Sequence, residues 1–399
     1  MRISTNTLYA AGVSRLAEIQ TGILKTQQQI STGKKILSPA DDPIGAARAL
    51  DLTQSQSINT QFANNRQSTG NALSAEENVL ASVTSLLQDT KTQTISAGNG
   101  SYNDSDRASV ATNLRARLDE LVGLANSTDG AGTYIFAGFN VSAPPFSSAA
   151  TGAQYSGDQG QRLSQVATSR QIAVSDPGDA VFQNIKNGGK ALAVTAATTN
   201  TGTGTGSAVT VDGSSALTGH SYQIKFTGAG TYDILDSTAG TTVASAQAFT
   251  AGQTISFDGQ QLSIAGAPAS GDSFTVGAPK NQTIFKTLSD LIAALETPVV
   301  GVPGKAQLAQ SLAVANGNID SALDTVLSVR SSVGSRLREI DALNASGDDR
   351  SNQYAQALSQ IQDLDYTKAI SDFTQQNTNL EAAQKTFIKT SSLSLFSLL

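Results

Sequence analysis

Apolar residues fall on three rhythms along this chain. Near the N-terminus Tyr9, Leu16, Ile23, Ile30 and Leu37 are each seven residues apart, and near the C-terminus so are Tyr366, Phe373, Leu380 and Phe387. A seven-residue step returns to nearly the same helix face, so each run predicts a helix with one apolar seam. The companion position four residues on is apolar at Val13 and Ile370, but elsewhere it is Gln20, Gln27, Lys34, Asn377 or Gln384. A strict two-stranded coiled coil wants that position apolar. Periodicity alone leaves two readings: seams that other subunits complete, or ordinary amphipathic helices of a core. Ordering each terminus costs more than burying four or five large side chains returns. Both termini are therefore expected to order only against neighbouring subunits.

The second rhythm is a long helical one. After Pro43, apolar positions Ala47, Leu50, Ile58, Phe62, Leu73, Val79, Leu80, Val83 and Leu87 recur at roughly helical spacing, with no proline before Pro144. A helix from Pro43 to Ala97 would be ~80 Å long, which suits a rod better than a compact enzyme domain. "GNGSYNDSD" then breaks the chain, and Ser105 or Asp106 is placed to cap a second helix carrying Leu114, Leu118, Leu121 and Val122. "STDGAGTYIFAGF" reads as a turn and a strand. Helices resume near Ile284, run from Lys305 to about Leu343, and restart after "SGDD" at Ser346–Asp349.

The third rhythm alternates. "SYQIKFTG", "TISFDGQQLSIAG" and "DSFTVG" read as strands, and the Asp258-Gly259 step is a hairpin signal. Composition changes with it. Glu is absent between Glu120 and Glu296, Arg between Arg170 and Arg330, and 22 of the 35 glycines lie between residues 127 and 283. The expected fold is a mainly α rod of long antiparallel helices with an inserted β-rich outer domain.

Charge and chemistry narrow the function. The net charge is −6 without a run of Lys and Arg, so a nucleic-acid partner is not expected. Without cysteine there is neither disulfide nor thiolate chemistry. No apolar stretch approaches the ~18 residues of a membrane span, so no membrane partner is expected. "MRISTNTLYAAGVSRL" lacks the continuous apolar core of a cleaved signal peptide. "STGKKILSPADDPIGAARAL" holds adjacent carboxylates, Asp41 and Asp42, which could suggest acid–base or metal chemistry. Each residue type there also suits ending one helix and starting another. Gly33 suits the position after a helix, Lys34 and Lys35 sit by its negative end, and Asp42 followed by Pro43 suits an N-cap and first helical position. No histidine or cysteine is nearby to complete a metal site. His220 heads a strand with no G-x-S-x-G elbow in the chain. "TGTGTGSAV" lacks the G-x-G-x-x-G spacing and the Walker lysine. No convergent titratable cluster supports an enzyme, and no catalytic residue, cofactor or metal is expected.

Four stretches together resemble the flagellin superfamily of bacterial flagella: "MRISTNTLY", "QISTGKKILSPADDPIGAARAL", "AGNGSYNDSDRASVATNLRARLDELVGLANSTDGAGTYIFAGF" and "LDYTKAISDFTQQNTNLEAAQKTFIKTSSLSLFSLL". They cover about the first 140 and last 115 residues. Pro43 directly after the Asp-Asp pair, where flagellins tend to carry a small residue, and "TYIFAG" are similar to the hook–filament junction branch, the hook-associated proteins. The central insert matches no specific member.

The resemblance implies D0 terminal helices at residues 1–42 and 364–399. It implies a D1 helical bundle with a β-hairpin at 43–142 and 282–363, and an inserted β-rich D2 at 143–281 with a subdivision near 190. It implies a structural role: linking the flagellar hook, through the other junction protein, to the filament by helical self-assembly of the terminal helices. Tyr9, Leu16, Ile23, Ile30, Tyr366, Phe373, Leu380 and Phe387 are the expected subunit-packing seam, and Gly33, Asp41, Asp42 and Pro43 the expected D0–D1 corner. Expected partners are copies of itself in a ring, the adjacent hook-associated junction protein, flagellin, and a type III export chaperone at the C-terminal region. The location would be the extracellular flagellum, reached without a cleaved signal peptide. The alternatives are a flagellin filament subunit and, from a different class, a surface adhesin or glycan-binding module in the insert. Deleting residues 190–280 separates the last of these: lost adhesion with intact motility favours it, and unchanged adhesion removes it.

Overall fold

The structure, a computed structural model, describes residues 5–150, 152–186, 192–211, 218–228, 230–278 and 280–392. Among the described residues six α-helices form: α1 Thr5–Thr32, α2 Pro43–Ala97, α3 Asp104–Ala125, α4 Ile284–Glu296, α5 Gly301–Gln362 and α6 Tyr366–Ser392. The chain divides into two compact units, residues 1–64 with 342–399, and residues 65–341.

The first unit holds α1, the start of α2, the end of α5 and α6. Its interior is thin. Among the described residues, the side chains it fully buries are Thr26, Ala49 and Ala369. The break expected at Ser346–Asp349 does not occur, because α5 continues through it. Gly347 is buried there, and its carbonyl accepts a hydrogen bond from Asn59 Nδ2 at 2.8 Å. Helical neighbours on both sides and this contact carry the helix through a glycine that reads as a breaker in isolation.

The described residues of the second unit include a helical core and a sandwich core. In its helical part Leu73, Leu80, Val83 and Leu87 of α2, Leu114 and Leu121 of α3, and Ile319, Val326 and Val333 of α5 are fully buried. The cap of α3 is Asn103 rather than Ser105 or Asp106. Asn103 Oδ1 accepts from Asp106 N while Asp106 Oδ2 accepts from Asn103 N, a reciprocal capping box. The expected strand at "TYIFAGF" is also replaced. Apart from a single bridge between Thr128 and Tyr134, Ile135, Phe136 and Ala137 are buried as irregular chain. Their backbone groups bond to loops instead, Ile135 N to Ser127 O and Phe136 O to Gly178 N. Burial explains the strand-like composition without a strand.

Two hairpins follow. Strands β1 (Phe146–Ala149) and β2 (Gly152–Tyr155) pair antiparallel, as do β3 (Leu163–Ala167) and β4 (Arg170–Ala173). Phe146 anchors the first by ring contacts to Phe182 at 5.4 Å and to Phe285 of α4 at 5.1 Å. Strand β5 (Ile185–Lys186) then leads into a sandwich. Its remaining strands are β6 (Ala193–Ala196), β7 (Thr205–Gly206), β8 (Thr210–Val211), β9 (Tyr222–Gly228), β10 (Thr231–Asp236), β11 (Thr241–Ala248), β12 (Thr254–Phe257), β13 (Gln260–Ala265) and β14 (Ser273–Gly277), and β15 (Asn281–Gln282) leads out. One sheet runs β11-β10-β9-β14-β6, and the other β12-β13-β7 with β8 also on β13. Tyr222, Ile224, Phe226 and Phe274 from the first meet Ile255, Leu262 and Ile264 from the second in one core. The hairpin expected at Asp258-Gly259 is present, with Phe257 opposite Gln260 and both turn residues at positive φ, +43° and +72°. A two-residue turn of this hand matches the twist of its strands.

The β3–β4 hairpin is held to the helices by polar side chains. Arg66 donates to Val166 O, Arg170 forks onto Glu339, and Arg336 pairs with Asp176. Glu76 of α2 is fully buried here and accepts from Asp176 N at 2.9 Å. Burial first, and then the neighbouring Asp176 carboxylate, push its carboxyl up to about 8. Glu76 therefore enters the folded state protonated while the unfolded chain ionises near 4.5. Its stabilising contribution is complete below pH 4.5 and lost as pH rises towards 8. Glu76→Gln, which stays neutral, is expected to flatten the fall in thermal midpoint of the full chain between pH 5 and 8. Parallel wild-type and variant profiles would contradict this assignment.

Candidate assembly site at the paired termini

Helices α1 and α6 pack antiparallel. At one end the rings of Tyr9 and Phe387 lie 5.1 Å apart, tilted by 47°. In the middle Thr26 Oγ1 donates to Gln376 Oε1 at 3.2 Å. At the other end Leu364 N donates to Gly33 O at 3.0 Å, and Tyr366 sits against Gly33. Each seven-residue step along α1 is matched by a seven-residue step back along α6, so Leu16 falls level with Leu380 and Ile23 with Phe373. Gly12 permits the approach at the aromatic end, because a Cβ there would lie 2.7 Å from the Phe387 ring.

All eight seam positions lie on this pair. Leu16, Ile23, Ile30, Phe373, Leu380 and Phe387 are half-buried, while Tyr9 and Tyr366 are 55% and 50% exposed. Leu37, the fifth residue of the first run, lies beyond the end of α1 and is not part of the helix. Val13, Leu24, Ile370 and Ile388 add exposed apolar surface on the same two helices, 45% to 65% accessible. Two helices alone can cover one stripe on each other but not the flanks of that stripe. The seam is thus partly covered by its intramolecular partner, in keeping with the matched seven-residue steps of the two ends.

The Asp-Asp stretch forms a corner. Gly33 takes φ +67° after α1, as its place after a helix requires, and its N–H returns to Gln29 O. Lys35 N donates to Gln362 O at 2.7 Å, tying the corner to the end of α5. Asp41 and Asp42 serve different donors. Asp41 Oδ2 accepts from Leu37 N and Ser38 N, while its other oxygen pairs with Lys25 Nζ at 2.6 Å. The Lys25 hydrogen bond, then the backbone bonds, hold the Asp41 carboxyl below its ordinary value. Asp42 Oδ1 accepts from Gly45 N at 2.9 Å, capping α2 ahead of Pro43. This occupancy is structural, and among the described residues no group of three His, Cys, Asp or Glu is placed to hold a metal ion. His220 bonds through Nδ1 to Asp236 Oδ2 at 2.6 Å. Asp236 in turn accepts from the backbone of Thr238 and Ala239, a turn-stabilising arrangement. The cap of α6 went unread in the sequence: Asp365 Oδ1 accepts from Lys368 N at 3.1 Å, and an Asp directly before the Tyr366 seam was its signal.

Comparison with known proteins follows the same division of the chain. Residues 3–141 match the bacterial flagellin N-terminal helical region and residues 317–399 the bacterial flagellin C-terminal helical region. The insert, for which the sequence suggested no specific member, matches over residues 184–278 the D2-like domain of flagellar hook-associated protein 1. Flagellin of Escherichia coli O127:H6 is 27% identical over 135 residues, 34% of this chain and 25% of its own length. Flagellar hook-associated protein 3 of Salmonella typhimurium is 31% identical over 399 residues, 100% of this chain and 99% of its own. The crystal structure of the flagellar junction protein FlgL from Legionella pneumophila is 30% identical, covers 79% of this chain and 100% of its own, and superposes with a TM-score of 0.71. Similarity that runs the full length of hook-associated protein 3, insert included, sets the chain apart from the flagellins, and it belongs to the flagellar hook-associated protein 3 family.

Proposed function

We propose that the chain is a structural subunit of the junction between flagellar hook and filament, and that it assembles through its paired terminal helices. The observation that carries this reading is the imbalance in the first unit. The side chains that its described part buries are only Thr26, Ala49 and Ala369, yet it leaves Tyr9, Val13, Leu24, Tyr366, Ile370 and Ile388 about half exposed or more. An apolar surface rimmed by polar residues of this kind marks an association site. Copies of the same chain supply the wall, and a ring of them sits between the adjacent hook-associated protein and the first flagellins. In this scheme residues 1–42 and 364–399 form the inner layer. Residues 43–142 with 282–363, and the β1–β4 hairpins packed on them, form the middle layer, and the sandwich projects outward. Gly33, Asp41, Asp42 and Pro43 set the corner between the first two. Export through the flagellar type III apparatus, with a chaperone on the C-terminal region, delivers the chain to an extracellular site. Among the described residues no helix is long and apolar enough to cross a membrane.

The seam residues Tyr9, Leu16, Ile23, Ile30, Tyr366, Phe373, Leu380 and Phe387 carry the packing. Phe373→Asp combined with Leu380→Asp is expected to leave the second unit's thermal unfolding unchanged and to abolish incorporation into flagella. Normal motility in that variant would refute the seam. A flagellin reading is separated by filament seeds, which purified flagellin extends alone and this chain should not. At the corner, Asp42→Ala is expected to cost about 1 kcal/mol of stability through the lost cap, with Asp42→Asn close to wild type. Equal losses in calorimetry of the two variants would point instead to a role for the charge.

A further inference from the structure

The sandwich is joined to the helices of its own unit by a narrow neck. Strands β5 and β15 pair through two residues each, Ile185 with Gln282 and Lys186 with Asn281. Beyond the neck, the sandwich core around Tyr222 and Phe274 and the helical core around Leu291 and Ala315 are separate clusters. A cavity of about 550 Å³, open to solvent, lies between them, lined by Val194 on one side and Leu291 and Ala315 on the other. The two cores are therefore not interdigitated across it.

Two side-chain amides cross the gap. Gln310 Oε1 accepts from Gly206 N at 3.1 Å, and Gln307 Nε2 donates to Thr198 O at 3.5 Å. Both glutamines are on α5, and β6 and β7 are the edge strands of their sheets. The bond from Ala197 N to Ser273 O sets the ladder's alternation, so the N–H and C=O of Val194 and Ala196 point away from β14. A bare strand edge needs cover, and a glutamine amide carries the same donor and acceptor as the peptide group of a missing strand. Long, unbranched side chains make such a cover easy to release.

We infer that Gln307 and Gln310 form a releasable latch on the open edge of the sandwich, and that the sandwich swings as a rigid body about the β5–β15 neck when the latch opens. The cavity supplies the room, and the sandwich's complete core keeps its own strands together. The chain has no cysteine, so labels can be placed singly. Thr242→Cys on β11 and Ser328→Cys on α5, both exposed, would carry nitroxides for pulsed EPR distances in the full chain. Adding Gln307→Ala and Gln310→Ala is expected to broaden or shift the distance distribution. The Gly206 amide should exchange about ten-fold faster or more, with β9 and β14 amides unchanged. Unchanged distances and exchange would overturn the latch. Should protection in β9 and β14 fall as well, Gln310→Asn, one methylene too short to reach Gly206, replaces the alanine pair. Loss of β9 and β14 protection there too would show that the amides hold the sandwich's fold rather than its tilt, and would overturn the hinge.

Discussion

The apolar surface of the first unit exceeds what two helices can cover on each other. A pair of parallel or antiparallel helices buries one stripe per helix, and stripes of the width seen on α1 and α6 need neighbours on both flanks. The sequence meets the intramolecular part of that need with small residues. Gly12 admits the Phe387 ring, Thr26 bonds Gln376, and Ala369 is buried. None of these contributes the burial of a leucine or phenylalanine, and helices this lightly packed draw most of their stability from tertiary contact. The seam is therefore placed but not satisfied, and the proposed role follows from that deficit.

The second unit shows the opposite economy. Its helical part and its sandwich each fully bury large side chains, among them Leu80, Phe136, Phe182, Tyr222 and Phe274. A buried polar cluster then fixes the β3–β4 hairpin to α2 and α5, the Asp176–Arg336 ion pair together with the neutral Glu76 that accepts from Asp176 N. Such clusters are costly to desolvate and are favourable only when their hydrogen bonds are made. Each core of this unit can be folded in the separate chain while the first unit waits for partners. That separation suits a protein that must stay unassembled until it reaches its place.

Much of this was legible in the residues, because local chemistry and tertiary context agreed. The limits of α2 at Pro43 and Ala97 followed from the Asp42-Pro43 start and the glycines after Ala97. The Asp258-Gly259 hairpin and α4 near Ile284 followed in the same way. The misses occur where distant packing decided. Gly347 stays inside α5, where its carbonyl accepts from Asn59, 288 residues away in sequence. "TYIFAGF" is irregular because its buried backbone finds loop partners rather than a strand. The buried cluster joins residues 100 and 160 positions apart, so nothing near Glu76 announced it. At the candidate site the seam was readable as a period, and the matched seven-residue steps at the two ends held its internal pairing. The exposed flanks at Leu24 and Ile388 were not readable from that period, since they fall outside it.

Amide hydrogen exchange on the isolated full-length chain, followed by mass spectrometry, tests the central claim most directly. The account expects residues 5–32 and 366–392 to exchange close to the rate of unstructured peptide while residues 73–87 of α2 stay protected. Protection across α1 and α6 equal to that of α2 in the separate chain would mean that the termini need no neighbours, and would contradict it.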